Sequence, residues 1–231
     1  MLHRDRQLTL SLETSCGWGG SRSGAGRKPG RNPRMRHRSR ERFRRVMPAH
    51  VTLRAVEGLP SLRTVRIVRE IERTFARGCS RTGFRLVHYS LQGNHAHLIV
   101  EARDRDALGR GMMAIGTRLA RAVNRAVGRS GRVLADRYHV RVLPTPREVR
   151  NALRYVLLNV RHHSAIARSA LKQAVPLDPA SSARWFDGWK CKRTEDGGET
   201  NPKRSVAPPR TWLLSVGWRR HGLLDPADIP G

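Results

Sequence analysis

The chain has 231 residues with 46 Lys+Arg against 18 Asp+Glu, a formal net charge of +28 and a hydrophobic share of 38%. That length and apolar content suit one domain with tails, and no run of about 18 apolar residues is present to span a membrane. So basic a chain is suited to a polyanion, of which nucleic acid is the usual one. Its shortage of acids disfavours a nuclease built on clustered carboxylates and points any metal site toward histidine.

At the start of the chain, Met1-Leu2-His3-Arg4-Asp5-Arg6 lacks the apolar stretch of a secretory signal. Residues 1–45 read as a disordered basic arm: Gly19 to Arg45 holds eleven Lys+Arg and one acid, Glu41, with no helical or strand period. Gly26-Arg27-Lys28-Pro29-Gly30 has the composition of a minor-groove arm. The plainer reading is a solvated tail that adds affinity for phosphates without sequence preference. Cys16, Cys79 and Cys191 are odd in number, far apart and in no C-x-x-C arrangement. A disulfide framework or zinc knuckle is therefore not expected, and a reducing cytoplasm is.

Order is expected over residues 46–172. His50 to Val56 alternates, with Val51, Leu53 and Ala55 on one face and His50, Thr52 and Arg54 on the other, as in a half-buried strand. Gly58-Leu59-Pro60-Ser61 is a turn with Ser61 as the expected N-cap. Leu62, Val65, Val68, Ile71 and Phe75 follow at helical spacing, and Gly78 stops the helix. Phe84–Leu91 and His95–Ala102 read as strands joined by a tight break at Gln92-Gly93-Asn94. A second helix, about 106–127, carries an apolar stripe of Leu108, Met112, Ile115, Leu119, Val123 and Val127. Its Arg118, Arg121, Arg125 and Arg129 form another face, which reads equally as a solvated surface or as a track for a phosphate backbone. Val133–Leu143 reads as a strand, and Thr145 as the N-cap of a third helix over 146–163.

The order strand, helix, strand, strand, helix, strand predicts an α+β fold. It is the ferredoxin-like split βαβ sandwich, with two helices on one face of an antiparallel sheet and the other face left available. Beyond it, residues 173–231 form a loop-rich extension holding four of the five tryptophans: Trp185, Trp189, Trp212 and Trp218. Docking on the domain is the expected role, with stacking on unpaired bases as the other reading.

Two motifs carry chemistry. In Asn94-His95-Ala96-His97-Leu98 the histidines share one face of a strand, which makes half of a metal site. In Tyr155-Val156-Leu157-Leu158-Asn159 the Tyr and Asn are four apart and so neighbours on one helical face. The chain resembles the single-tyrosine HUH transposases, in particular the REP-associated tyrosine transposase branch. Those proteins carry an Asn-His-x-His-Leu strand in a ferredoxin-like fold and a downstream helix with Tyr-x-x-x-Asn, often followed by Pro. Here Val160 stands in place of that Pro, so the helix is expected to run on through Arg161-His162-His163.

The resemblance covers roughly residues 48–165 and implies cleavage and rejoining of single-stranded DNA by transesterification through a 5′-phosphotyrosine. Tyr155 would be the nucleophile. His95 and His97 would be metal ligands, with a side-chain oxygen of Asn159 as the third and Mg2+ or Mn2+ as the cation. Arg118, Arg121, Arg125, Arg154, Arg54 and His50 are expected to meet the nucleic acid. The partner implied is single-stranded or hairpin DNA, in the cytoplasm at the nucleoid, handled by a homodimer or by a monomer acting in cis. The alternative is a non-catalytic basic binder of single strands descended from such a transposase.

Overall fold

A computed structural model describes residues 43, 45–163, 177–190 and 203–228. The chain divides into two compact units, Met1–Ser39 and Arg40–Gly231, and all described residues belong to the second. The basic arm expected over 1–45 thus lies almost wholly outside the described residues.

Within this unit the elements run β1 (Met47–Arg54), α1 (Val65–Ala76), β2 (Ser80–Arg81), β3 (Phe84–Leu91), β4 (His95–Ala102), α2 (Arg105–Val127), β5 (His139–Val142), α3 (Pro146–His163) and α4 (Trp212–Ser215). The strands form one sheet in the order β2-β3-β4-β1-β5, antiparallel throughout. This is the expected α+β split sandwich with a short edge strand, β2, added. Among the described residues no helix is long and apolar enough to cross a membrane.

The alternation of β1 and β4 sorts the core. Val51, Leu53, Ala96, Leu98 and Val100 face α1 and α2, meeting Ile67, Ile71 and Phe75 of the first helix and Leu108, Met112 and Leu119 of the second. The helix α2 is started by Asp104, whose side chain accepts from the Ala107 N–H at 2.7 Å, and is stopped by Gly128 in the left-handed region at φ +70°. Thr145 begins α3 as expected: its hydroxyl accepts the Glu148 N–H at 3.3 Å and donates to the Glu148 carboxylate at 2.8 Å.

Three local expectations differ from the structure. Helix α1 starts one turn late, with Thr64 rather than Ser61 at its N-cap and no side-chain cap bond. The Leu62 N–H donates to the Gly93 carbonyl at 2.9 Å, which holds residues 61–63 in a turn against the β3–β4 connection. The strand expected over 133–143 is split: Leu134 bridges to Ala55, and regular pairing resumes only at His139.

The second face of the sheet is not left open. Val149, Leu153, Val156 and Leu157 of α3 pack against Val87 and Ile99 of that face, together with Phe186, Leu214 and Trp218 from the C-terminal segment. The apolar side chains at Val87 and Ile99 are what a bare face would have had to expose, so the sheet is covered on both sides. Of the tryptophans in this segment, Trp218 is 1% exposed and Trp189 donates its indole N–H to the Ala183 carbonyl at 3.1 Å, whereas Trp212 is 47% exposed. A buried carboxylate pins this segment. Glu101 accepts the N–H groups of Arg210 and Thr211 and the Thr211 hydroxyl, at 2.7–3.0 Å, at the start of α4.

His88 on the same face is buried beside Ser182, with Nδ1 3.2 Å from the hydroxyl. Burial, helped by the Arg204 guanidinium, lowers its pKa to about 3. The native state keeps it neutral while the unfolded chain protonates near the ordinary value. The unfolded state therefore binds more protons between the two values, and stability falls as pH drops from about 6.5 toward 3. His88→Asn, which retains a donor for Ser182, is expected to flatten that fall; urea unfolding across a pH series measures it.

Candidate active site

The site is assembled by register. On β1 and β4, Thr52 lies opposite His97 and Arg54 opposite His95; on β5, Arg141 lies opposite His50 and His139 opposite Thr52. Residues opposite one another in antiparallel strands share a face, so the polar positions of three strands gather on the side that α3 covers. The apolar stripe of α3 rests on Ile99 and Val87, and this brings Tyr155 over the row containing His97.

His97 is the centre. It is 5% exposed, with Nδ1 3.1 Å from His50 Nε2 and 3.2 Å from Thr52 Oγ1, and Nε2 3.5 Å from the Tyr155 hydroxyl. Its ring centroid lies 5.0 Å from that of Tyr155, 5.1 Å from His50 and 4.7 Å from His95. With Nδ1 turned toward Thr52 and His50, Nε2 is the nitrogen presented to the tyrosine. The 3.5 Å approach is at the outer edge of hydrogen bonding.

His95, at the start of β4, sets its Nδ1 2.8 Å from the Asn94 side-chain oxygen. An amide oxygen only accepts, so Nδ1 carries the proton and Nε2 the lone pair that a metal would take. His50 is held neutral: burial, with the Arg141 guanidinium on the paired strand adding to it, lowers its pKa to about 4. The sequence led us to expect His50 to meet the nucleic acid from an open face of its strand; that face is instead covered. His50 is largely buried, and its Nε2 is turned to His97.

Asn159 lies one helical turn beyond Tyr155 and is fully buried, and neither its oxygen nor its nitrogen has a hydrogen-bond partner among the described residues. Leaving a buried amide unmatched costs about 1–3 kcal/mol, so the position is polar against the interest of stability. Among the described residues no three His, Cys, Asp or Glu side chains group as a metal cluster. The donors expected from the sequence, two imidazoles and this amide oxygen, are of a kind that would suit a divalent cation of intermediate hardness.

The remaining sequence candidates divide. Arg54 sits on the site face opposite His95, with its side chain 64% exposed and 4.0 Å from Glu57. Arg154, adjacent to Tyr155, lies 3.9 Å from Asp228. Arg118, Arg121 and Arg125 do not converge on the site, because α2 packs on the opposite face of the sheet. There Arg118 lies against Gly78, and Arg125 bonds Glu70 and Thr74 at 3.2 and 2.9 Å. Sequence reasoning gave no role to Thr52 or Arg141. Thr52 was legible as a polar position of its strand, but which strand would lie beside β4 was not.

No known protein family matches the sequence. No curated protein matches it either. Among solved structures the chain is similar to a REP-associated tyrosine transposase bound to a REP hairpin, with a TM-score of 0.43 and 15% identity over 62% of this chain and 90% of that one.

If Asn159 is polar for a ligand rather than for the fold, Asn159→Leu should stabilise the metal-free protein, by about 1–2 kcal/mol. Chemical denaturation in the presence of a chelator measures it, with loss of stability as the contrary result.

Proposed function

We propose that the protein cleaves and rejoins single-stranded DNA by transesterification, with Tyr155 as nucleophile. The observation that carries the reading is the approach of the Tyr155 hydroxyl to His97 Nε2, on a face that also holds His95 and lies one helical turn from the orphaned Asn159 amide. The sequence has three tyrosines. Tyr89 is fully buried against Glu72 and Ser205, and Tyr138 packs on the first core, so Tyr155 is the one set among histidines.

In the reaction the Tyr155 oxygen bonds to the phosphorus of a phosphodiester and the P–O3′ bond breaks. The phenolic proton is given up and the departing 3′ oxygen takes one, leaving a 5′-phosphotyrosine and a free 3′-OH. Rejoining is the reverse, with a 3′-OH attacking the phosphotyrosine. The covalent intermediate conserves the phosphodiester energy, so no nucleotide cofactor is needed.

His95, His97 and the Asn159 oxygen would hold Mg2+ or Mn2+, which when bound polarises the scissile phosphate and offsets its developing charge. The chain's own residues do the positioning. Thr52 and His50 fix the rotation of the His97 ring, Asn94 fixes the His95 tautomer, and α3 presents Tyr155 from a rigid helix. Arg54, exposed and opposite His95, would take a flanking phosphate.

Labelled single-stranded and hairpin DNA, incubated with the protein and Mn2+ or Mg2+ and run on a denaturing gel, tests the reading. A slow-migrating adduct is expected, lost with chelator and absent for Tyr155→Phe, while Tyr155→Phe still binds DNA. Binding without any adduct across such substrates would instead mark a non-catalytic single-strand binder. Mn2+ should also raise the melting temperature of the native protein and not that of Asn159→Leu, a readout independent of activity.

A further inference from the structure

The side of the sheet away from Tyr155 carries its own charged feature. Three surface hollows of about 440, 590 and 700 Å3 run into one another there, the first two sharing Arg69 and Arg73 and the last two sharing Arg125. Together their walls hold nine Arg or Lys side chains against two carboxylates, Glu70 and Glu72. Both carboxylates are already occupied by arginines of the same walls: Glu70 by Arg73 and Arg125 at 3.2 Å each, and Glu72 by Arg184. Among the described residues the rest of that positive charge has no carboxylate paired with it.

That charge is also ordered. Arg66, Arg69, Arg73 and Arg77 follow at intervals of three or four along the exposed side of α1, so they form one rail about 16 Å long. Arg121, Arg125 and Arg129 along α2 line the far hollow as a second rail. Arg66, Arg69 and Arg77 make no ion pair or hydrogen bond among the described residues. Among the described residues no aromatic side chain lines any of the three hollows, whereas surfaces that hold single strands use aromatics on which bases stack.

We propose that this trough is a second nucleic-acid site, one that grips the phosphate backbone of a duplex without reading its sequence. It lies across the α1–α2 layer from His97 and Tyr155, so the two faces engage different segments, a duplex on the helices and an unpaired strand on the sheet. The trough does not depend on Tyr155 being a nucleophile, and it can hold whether or not the chemistry does.

The test uses the full chain, fluorescence anisotropy and three probes: a 16-base-pair DNA duplex, the RNA duplex of the same sequence, and a 16-nucleotide oligothymidine. In the triple variant Arg66→Gln, Arg69→Gln, Arg77→Gln, duplex affinity should fall at least tenfold in 0.1 M salt. The slope of log K against log salt should shrink by about 2–3, because each phosphate that an arginine neutralises adds about 0.9 to it. Oligothymidine binding and Tyr155 adduct formation should be unchanged. A control triple at exposed arginines outside the trough, Arg45→Gln, Arg110→Gln, Arg147→Gln, should shift duplex binding far less. Whichever duplex loses more is the ligand, and equal losses mean that the backbone alone is recognised. An unchanged duplex affinity, an equal loss in the control, or a larger loss for oligothymidine than for duplex would overturn the proposal.

Discussion

The register of β1 on β4 is the constraint on which the candidate site rests. Setting Thr52 opposite His97 commits His50, Thr52, Arg54, His95 and His97 to one face of the sheet and Val51, Leu53, Ala96 and Leu98 to the other. A slip of one residue would exchange the two sets, placing His97 among α1 and α2 and Leu98 beside Tyr155. The apolar set is almost wholly buried, and Val51, Leu53 and Leu98 each contribute about 1.5–3 kcal/mol by leaving water. The hydrophobic core thus fixes the position of the polar site as a consequence of strand alternation.

The second constraint is the cover on the other face. Helix α3 reaches His97 because its apolar stripe has Val87 and Ile99 to rest on, and because the C-terminal segment closes around it. Arg150 of α3 donates to the Gly222 and Leu223 carbonyls at 2.9 and 3.4 Å, and Glu101 on β4 caps the chain entering α4. Residues more than fifty positions apart therefore hold the tyrosine in place. Among the described residues the buried Asn159 amide lacks hydrogen-bond partners, as do Asn124 Oδ1 and Trp185 Nε1 away from the site, and the Tyr155–His97 approach is long.

Much of this was legible in the sequence, for identifiable reasons. The strands β3 and β4 follow from two apolar runs separated by the break at Gln92-Gly93-Asn94, and α2 from its apolar stripe. The two motifs located the residues that the fold brings together, His97 with Tyr155. What periodicity could not supply was which face of the sheet α3 would choose, since a stripe of Leu153, Val156 and Leu157 says only that something apolar is met. The burial of His50 was hidden for the same reason: its strand looked half exposed until α3 was placed over it. Helix α4 has four residues and β2 has two, too few for a period to register. The cationic rail of α1 was given no role from the sequence, because the helical period there marks only the buried apolar stripe; the hollows that share Arg69 and Arg73 set these arginines beside one another.

The most direct measurement is to locate the covalent bond itself. Trypsin cuts after Arg154 and Arg161, so the site tyrosine is released in the peptide Tyr155–Arg161, and mass spectrometry of protein reacted with DNA and nuclease-trimmed reads its mass. The expected result is that peptide carrying a residual nucleotide on Tyr155. A nucleotide found on Tyr138, or on a histidine as an acid-labile adduct, would contradict the assignment of Tyr155 as the nucleophile.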